Sequence, residues 1–137
     1  MTNQFDVIVV GAGPGGMTAA LYASRANLNV AILDRGIYGG QMNNTAEVEN
    51  YPGFENVLGP DLAEQMFKSA TQFGVTYQYG NVARVLVDEQ GWKHLFTDNE
   101  ELVARAVIIA TGSQPRKLGI PGEEAYGGRY WWGQFRH

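Results

Sequence analysis

A short apolar run that ends in a glycine-rich turn constrains this chain more than any other feature. Phe5, Val7, Ile8, Val9 and Val10 lead directly into Gly11-Ala12-Gly13-Pro14-Gly15-Gly16. The run is continuous and β-branched, the pattern of a parallel strand buried on both faces. Behind it, Met17, Ala20, Leu21 and Ser24 recur at helical spacing, with Pro14 in the first turn and Asn27 at the end, which predicts a helix over Pro14–Ala26. Val30 to Leu33 then predict a second strand that stops at Asp34, completing a β-α-β unit. In the GxGxxG spacing the first glycine permits the tight turn, the second lets a pyrophosphate approach the backbone, and the third lets the helix pack closely on the strand. The helix N-terminus adds free N–H donors and a positive dipole. Alone such a pattern is weak. Here it follows a strand, opens a helix and is followed by Asp34, where a carboxylate can accept from ribose hydroxyls, so it reads as a dinucleotide site. Asp34 taken by itself reads as a solvated strand end. The stretch does not separate NAD from FAD, because both present the same adenosine diphosphate.

The remaining elements are shorter. Arg35 to Pro60 shows no sustained period, and loops of this length are usually functional. Leu62, Met66, Ala70 and Phe73 mark one face of a second helix that starts at Pro60 or Asp61 and is capped by Gly74, with Met66 and Phe73 as core residues. A strand near Val75–Tyr79 follows. Val82–Val87, Trp92–Thr97 and Leu102–Val103 predict a three-stranded antiparallel meander, turning at Gln90-Gly91 and Asp98-Asn99. Ala106–Ala110 returns to the buried pattern as a fourth parallel strand ending at Thr111-Gly112, before irregular chain containing Pro115 and Pro121. His94 reads as a surface histidine without a partner at metal-ligand spacing, and no metal site is expected. Glu123-Glu124 reads as a solvated turn, and the glycosylation spacing Asn43-Asn44-Thr45 means little without a secretion signal.

Composition narrows the function classes. At 137 residues the chain has the length of one domain. Its 45% hydrophobic and 18% charged residues are those of a globular protein, not a disordered one. A net charge of −4 with scattered basic residues argues against nucleic acid as a partner. No apolar run is long enough to span a membrane, and Met1 to Asp6 lacks a basic segment followed by a signal core, so no membrane partner and a cytoplasmic location are expected. Cysteine is absent, which removes disulfides, Cys-ligated metals and any thiol nucleophile.

Further segments resemble a known family. Gly39-Gly40-Gln41, Glu49-Asn50-Tyr51-Pro52-Gly53 and Ala110-Thr111-Gly112, with Ser24-Arg25-Ala26-Asn27-Leu28 and Pro121-Gly122-Glu123-Glu124, resemble the FAD domain of the bacterial-type, low-molecular-weight thioredoxin reductases. The likeness runs from Asp6 to Arg129. The flavoprotein subunit of alkyl hydroperoxide reductase and the ferredoxin reductases of thioredoxin-reductase type share many of these features. The resemblance implies an α/β, Rossmann-like FAD-binding domain, a parallel sheet of about four strands carrying the meander. It implies that Gly11, Gly13, Pro14 and Gly15 line the pyrophosphate, and that Asp34 and Arg35 border the adenosine. Gly40 and Gln41 would meet the ribityl and flavin region, and Asn50 would offer its amide to the flavin edge. Val82 would contact adenine through its backbone, and Ala110, Thr111 and Gly112 would close over the cofactor. Without the family pattern, Gln41 and Asn50 read equally well as turn amides.

The chain then departs from the family, which passes after Gly127-Gly128-Arg129 into an NADPH-binding domain opening with a redox-active CxxC. Tyr130-Trp131-Trp132-Gly133-Gln134-Phe135-Arg136-His137 bears no relation to that continuation. Residues 1–129 are therefore expected to be an FAD-binding fragment and residues 130–137 an aberrant aromatic tail, left by a truncated gene, a frameshift or a cut chain. The family's final strand and helix would be missing, leaving one unprotected side, weakened FAD affinity and a tendency to self-associate, a homodimer through the exposed sheet edge or the tail. The resemblance implies the FAD-binding part of an NADPH-dependent thioredoxin-disulfide reductase that does not turn over alone, with thioredoxin a partner only of the full-length family. The alternatives are a non-catalytic module that docks through the aromatic tail, where clustered Trp and Phe act as anchors, and a small NAD-binding enzyme, disfavoured by the Gly39–Gly53 loop.

Overall fold

A computed structural model describes residues 3–114 and 116–125; the tail at 130–137 lies outside the described residues. The opening β-α-β unit forms as its pattern dictates. Strand β1 (Gln4–Val10) leads into helix α1 (Pro14–Arg25) and strand β2 (Val30–Asp34), which pairs parallel to β1 with Val7 opposite Val30 and Val10 opposite Leu33. Asn27 ends the helical turn in the left-handed conformation, φ 62°, which asparagine tolerates better than most residues.

The Arg35–Pro60 region holds a short 3₁₀ turn, Gly40–Asn44, and a two-stranded hairpin of β3 (Glu47–Val48) and β4 (Val57–Leu58). Helix α2 (Gly59–Thr71) starts a residue earlier than its proline suggests, and its C-cap is Gln72 rather than Gly74. Phe73 therefore lies beyond the helix and is 51% exposed, so it is not a core residue, and Met66 is only half-buried. The aromatic that anchors α2 is Phe67, stacked on Tyr38 at 4.0 Å and edge-on to Tyr77 at 5.1 Å.

Strands β5 (Thr76–Tyr79), β6 (Arg84–Val87), β7 (Lys93–Phe96) and β8 (Glu101–Ile109) complete a six-stranded sheet of order β5-β2-β1-β8-β7-β6. The first four strands in that order are parallel, and β7 and β6 run antiparallel. One expectation is corrected. The third meander strand and the fourth parallel strand are a single strand: β8 pairs with β7 over Glu101–Ala104 and with β1 over Val103–Ile109. No glycine or proline stands between Leu102 and Ala110 to break it. The exposed Arg105 at its middle interrupts the apolar run and gives one strand the look of two.

Two clusters form the core. On the helical face, Val7, Val9, Ala12, Ala20, Val30 and Ile32 pack together. On the other, the meander curls back so that Leu95, Leu102 and Ala104 join Phe5, Ile8, Ala31 and Leu33. Phe5 and Ile8 share this cluster although strict alternation would separate them. The N–H groups of Asp6 and Val7 both donate to Asn29 O, at 2.9 and 3.2 Å, and this local bulge resets the alternation. Among the described residues, β8 beyond Ala104 is paired on one side only, by β1, and Ile108 and Ile109 are exposed there. Among the described residues no helix is long and apolar enough to cross a membrane.

Candidate functional site

The parallel strands end together, and their ends are laced by backbone hydrogen bonds. Gly11 N donates to Leu33 O at 2.8 Å, Ala110 N to Val10 O at 2.8 Å, and Gly80 N to Asp34 O at 2.9 Å. Ligands of open α/β sheets bind outside such carboxyl ends. A cleft of about 460 Å³ opens there.

The glycine turn forms one wall. Gly11 has φ 108°, and a Cβ on it would overlap Ala110 O; a Cβ on Gly16 would overlap Gly11 O. These two glycines are required by the fold. A Cβ on Gly13 or Gly15 would instead meet no atom within 4 Å, so the turn leaves open the space into which a pyrophosphate can come. Gly13 is the N-cap of α1 and no side chain caps the helix, leaving first-turn N–H groups for an anion.

Asp34 has a second task that the sequence reading did not assign. Its Oδ2 accepts from Ala12 N at 2.6 Å and its Oδ1 from Gly36 N at 2.7 Å. The carboxylate thus clamps the glycine turn to the exit of β2. The Asp34-Arg35-Gly36 sequence signalled the local bond, an Asx-turn; the bond to Ala12 depends on the parallel register and has no local signal. Beside it, Tyr77 donates its hydroxyl to Gly36 O at 3.2 Å. Burial, and then the charge of Asp34, hold that phenol above its ordinary value of 10.0.

Of the residues singled out from sequence, Gly11, Asp34, Arg35, Gly40, Val82, Thr111 and Gly112 line the cleft. Gly13, Pro14 and Gly15, the N-cap and first residues of α1, are not among the lining residues, although a Cβ on Gly40, which does line the cleft, would come within 3.4 Å of Gly13 Cα. Gln41, Asn50 and Ala110 do not line it. Gln41 belongs to the 3₁₀ turn, where its Oε1 accepts from Asn44 Nδ2 at 3.4 Å, and Asn50 is exposed in the loop between β3 and β4. Ala110 packs against the helical-face cluster beneath the cleft floor. Sequence reading missed Gly80, Asn81, Ser113 and Gln114. Gly80-Asn81 follows β5 directly, so the strand-end rule applied to that strand would have found them.

Two surface groups outside the cleft have partners that their local sequence did not show. Both ring nitrogens of His94 face carboxylates, Asp88 at 2.8 Å and Glu101 at 2.6 Å. In the turn, Glu123 accepts from Leu118 N at 2.8 Å and Gly119 N at 2.7 Å, while Glu124 pairs with Lys117 at 2.7 Å. Among the described residues no cluster of His, Asp and Glu is arranged to hold a metal.

Residues 5–132 match the family described as pyridine nucleotide-disulphide oxidoreductase. The chain belongs to this family. It is 54% identical over 125 residues to the thioredoxin reductase of Bacillus subtilis, covering 91% of this chain and 39% of that protein. Against the thioredoxin reductase of Listeria monocytogenes the identity is 55% over 125 residues, with the same 91% and 39% covered. The crystal structure of Lactococcus lactis thioredoxin reductase superposes with a TM-score of 0.82 at 47% identity, covering 91% of this chain and 41% of that one. The chain thus spans about two fifths of the length of these relatives.

For a pyridine nucleotide-disulphide oxidoreductase the cleft is informative in what it supplies. It offers one clamped carboxylate, one guanidinium, the side-chain amides of Asn81 and Gln114 and the hydroxyls of Thr111 and Ser113. Such a set can bind and orient a polar ligand.

Proposed function

We propose that the chain is the FAD-binding part of a thioredoxin reductase. The observation that carries the reading is the glycine turn beside the cleft: Gly11, which lines the cleft, and Gly16 are sterically required, while a Cβ on Gly13 or Gly15 would meet no atom within 4 Å. That difference has no use in a purely structural turn, and it fits a pyrophosphate lying over the start of α1. On this reading Gly11, Gly13, Pro14 and Gly15 take the pyrophosphate. Asp34 and Arg35 border the adenosine, and Val82 meets the adenine through its backbone. Ala110, Thr111 and Gly112 close over the cofactor, Gly40 and Gln41 meet its ribityl and flavin region, and Asn50 offers its amide to the flavin edge. When bound, the flavin supplies hydride and electron transfer between a nicotinamide and a disulfide. The chain's own residues bind it and exclude water.

The remaining steps of a thioredoxin reductase need a dithiol and an NADPH site. No cysteine occurs in these 137 residues, so a dithiol has to come from outside them, and thioredoxin is a partner of the whole enzyme in the cytoplasm. The one-sided pairing of β8 beyond Ala104 favours a second copy as a contact of this chain. The test is reconstitution with FAD followed by reduction. Bound flavin should bleach with dithionite and respond slowly or not at all to NADPH, and NAD should not displace it. Rapid bleaching by NADPH, or displacement of the flavin by NAD, would overturn the assignment.

A further inference from the structure

One face of the meander carries a row of side chains that takes no part in the cleft. The cross-strand pairs place Arg84 and Asp88 of β6 and its end, Trp92, His94 and Phe96 along β7, and Glu101 and Arg105 of β8 on the face opposite the buried Leu95, Leu102 and Ala104. The Arg84 guanidinium stands 4.5 Å over the Phe96 ring and that of Arg105 5.3 Å over Trp92. Between these two pairs His94 bridges the strands, with Nε2 2.8 Å from Asp88 Oδ2 and Nδ1 2.6 Å from Glu101 Oε1. Asp88 is itself fixed, because its Oδ1 accepts from Gln90 N at 3.0 Å and Trp92 N at 2.9 Å. Both nitrogens of an imidazole donate at once only when the ring is protonated. A neutral ring would leave one carboxylate facing a lone pair.

We propose that Asp88, His94 and Glu101 form a proton-dependent clasp that ties β6, β7 and β8 together and governs local opening of the β6 edge. The other charged groups on this face are Arg84 from β6 and Arg105 from β8, each over an aromatic ring. Lys93, on β7, donates instead to Gly91 O and Arg105 O, at 2.8 and 2.9 Å. The bonds to Asp88, then to Glu101, hold His94 above its ordinary 6.5, and His94 in turn holds Asp88 below its ordinary 3.8. The signs set the window. The histidine's contribution is complete below 6.5 and lost as pH rises through its raised midpoint; that of Asp88 is present above 3.8 and lost as pH falls through its lowered one. Among the described residues, strand β6 is the sheet edge and pairs with β7 alone. The chain entering it holds the cleft wall, with Val82 in the lining and Ala83 N donating to Phe96 O at 2.9 Å, so opening of the edge loosens that wall.

The test is amide hydrogen exchange of β6 and β7 in the 137-residue chain, corrected for intrinsic exchange rates, from mildly acidic to mildly alkaline pH. Protection should fall several-fold as pH rises through the His94 midpoint. His94→Gln should flatten the profile at the level the wild type reaches at high pH. In parallel, Asp88→Asn and Glu101→Gln should each lower the His94 midpoint read by NMR. Protection that stays constant with pH, a His94→Gln profile identical to wild type, or a midpoint unmoved by either carboxylate variant would overturn the clasp. Should His94→Gln fail to fold, the titrations of the two carboxylate variants decide it.

Discussion

At Gly13 a side chain would project into the space proposed for the pyrophosphate, whereas at Gly16 it would strike Gly11 O. The two positions therefore separate binding from folding. Gly13→Val should keep the wild-type melting profile and abolish flavin retention; Gly16→Val should lower the melting temperature whether or not FAD is present. Asp34 mixes the roles. Asp34→Ala removes the bonds to Ala12 N and Gly36 N, and charge-assisted bonds of this kind are worth about 1–3 kcal/mol. The loss should be visible in apoprotein stability by denaturant titration as well as in FAD affinity; an effect confined to affinity would mean that the clamp is not stabilising. That Asp34 stands at a strand end in the cleft was legible from the spacing of the motif. The clamp was not, because Ala12 and Asp34 meet only through the register of β1 and β2. The partners of His94 were hidden for the same reason: Asp88 and Glu101 reach it across strands, where no local spacing announces them.

Among the elements, β1, α1 and β2 were legible because strand periodicity, the glycine turn and the helical repeat agree within one short stretch. The 3₁₀ turn and the β3–β4 hairpin were not, since two-residue strands carry no period. β8 was read as two strands because its environment changes along its length, from the meander to the parallel sheet. Leu95 shows how the meander is held: it is fully buried between β7 and the residues of β1 and β2. Leu95→Ala should cost about 2–5 kcal/mol, measured by urea unfolding, with a loss of protection in β6 and β7. A cost confined to a few tenths would mean that the meander does not pack on the sheet as described.

At the scale of the molecule, the described residues form a sheet with helices on one face and a curled meander on the other. The chain spans about two fifths of the length of its relatives, and among the described residues β8 beyond Ala104 is paired on a single side, with Ile109 73% exposed. Placing a lysine at an exposed edge opposes strand pairing, so under the proposed contact between two copies Ile109→Lys should shift the chain toward monomer in sedimentation velocity. An unchanged distribution, or a wild-type chain that is already monomeric, would contradict that contact. The central claim is that the half-site from Gly11 to Gly112 recognises FAD, and its most direct test is the visible absorption spectrum of the purified chain after FAD is added and the excess removed. A retained, stoichiometric flavin band, absent in Gly13→Val, is the predicted result. A folded chain with no flavin band, or a band that survives Gly13→Val, would contradict it.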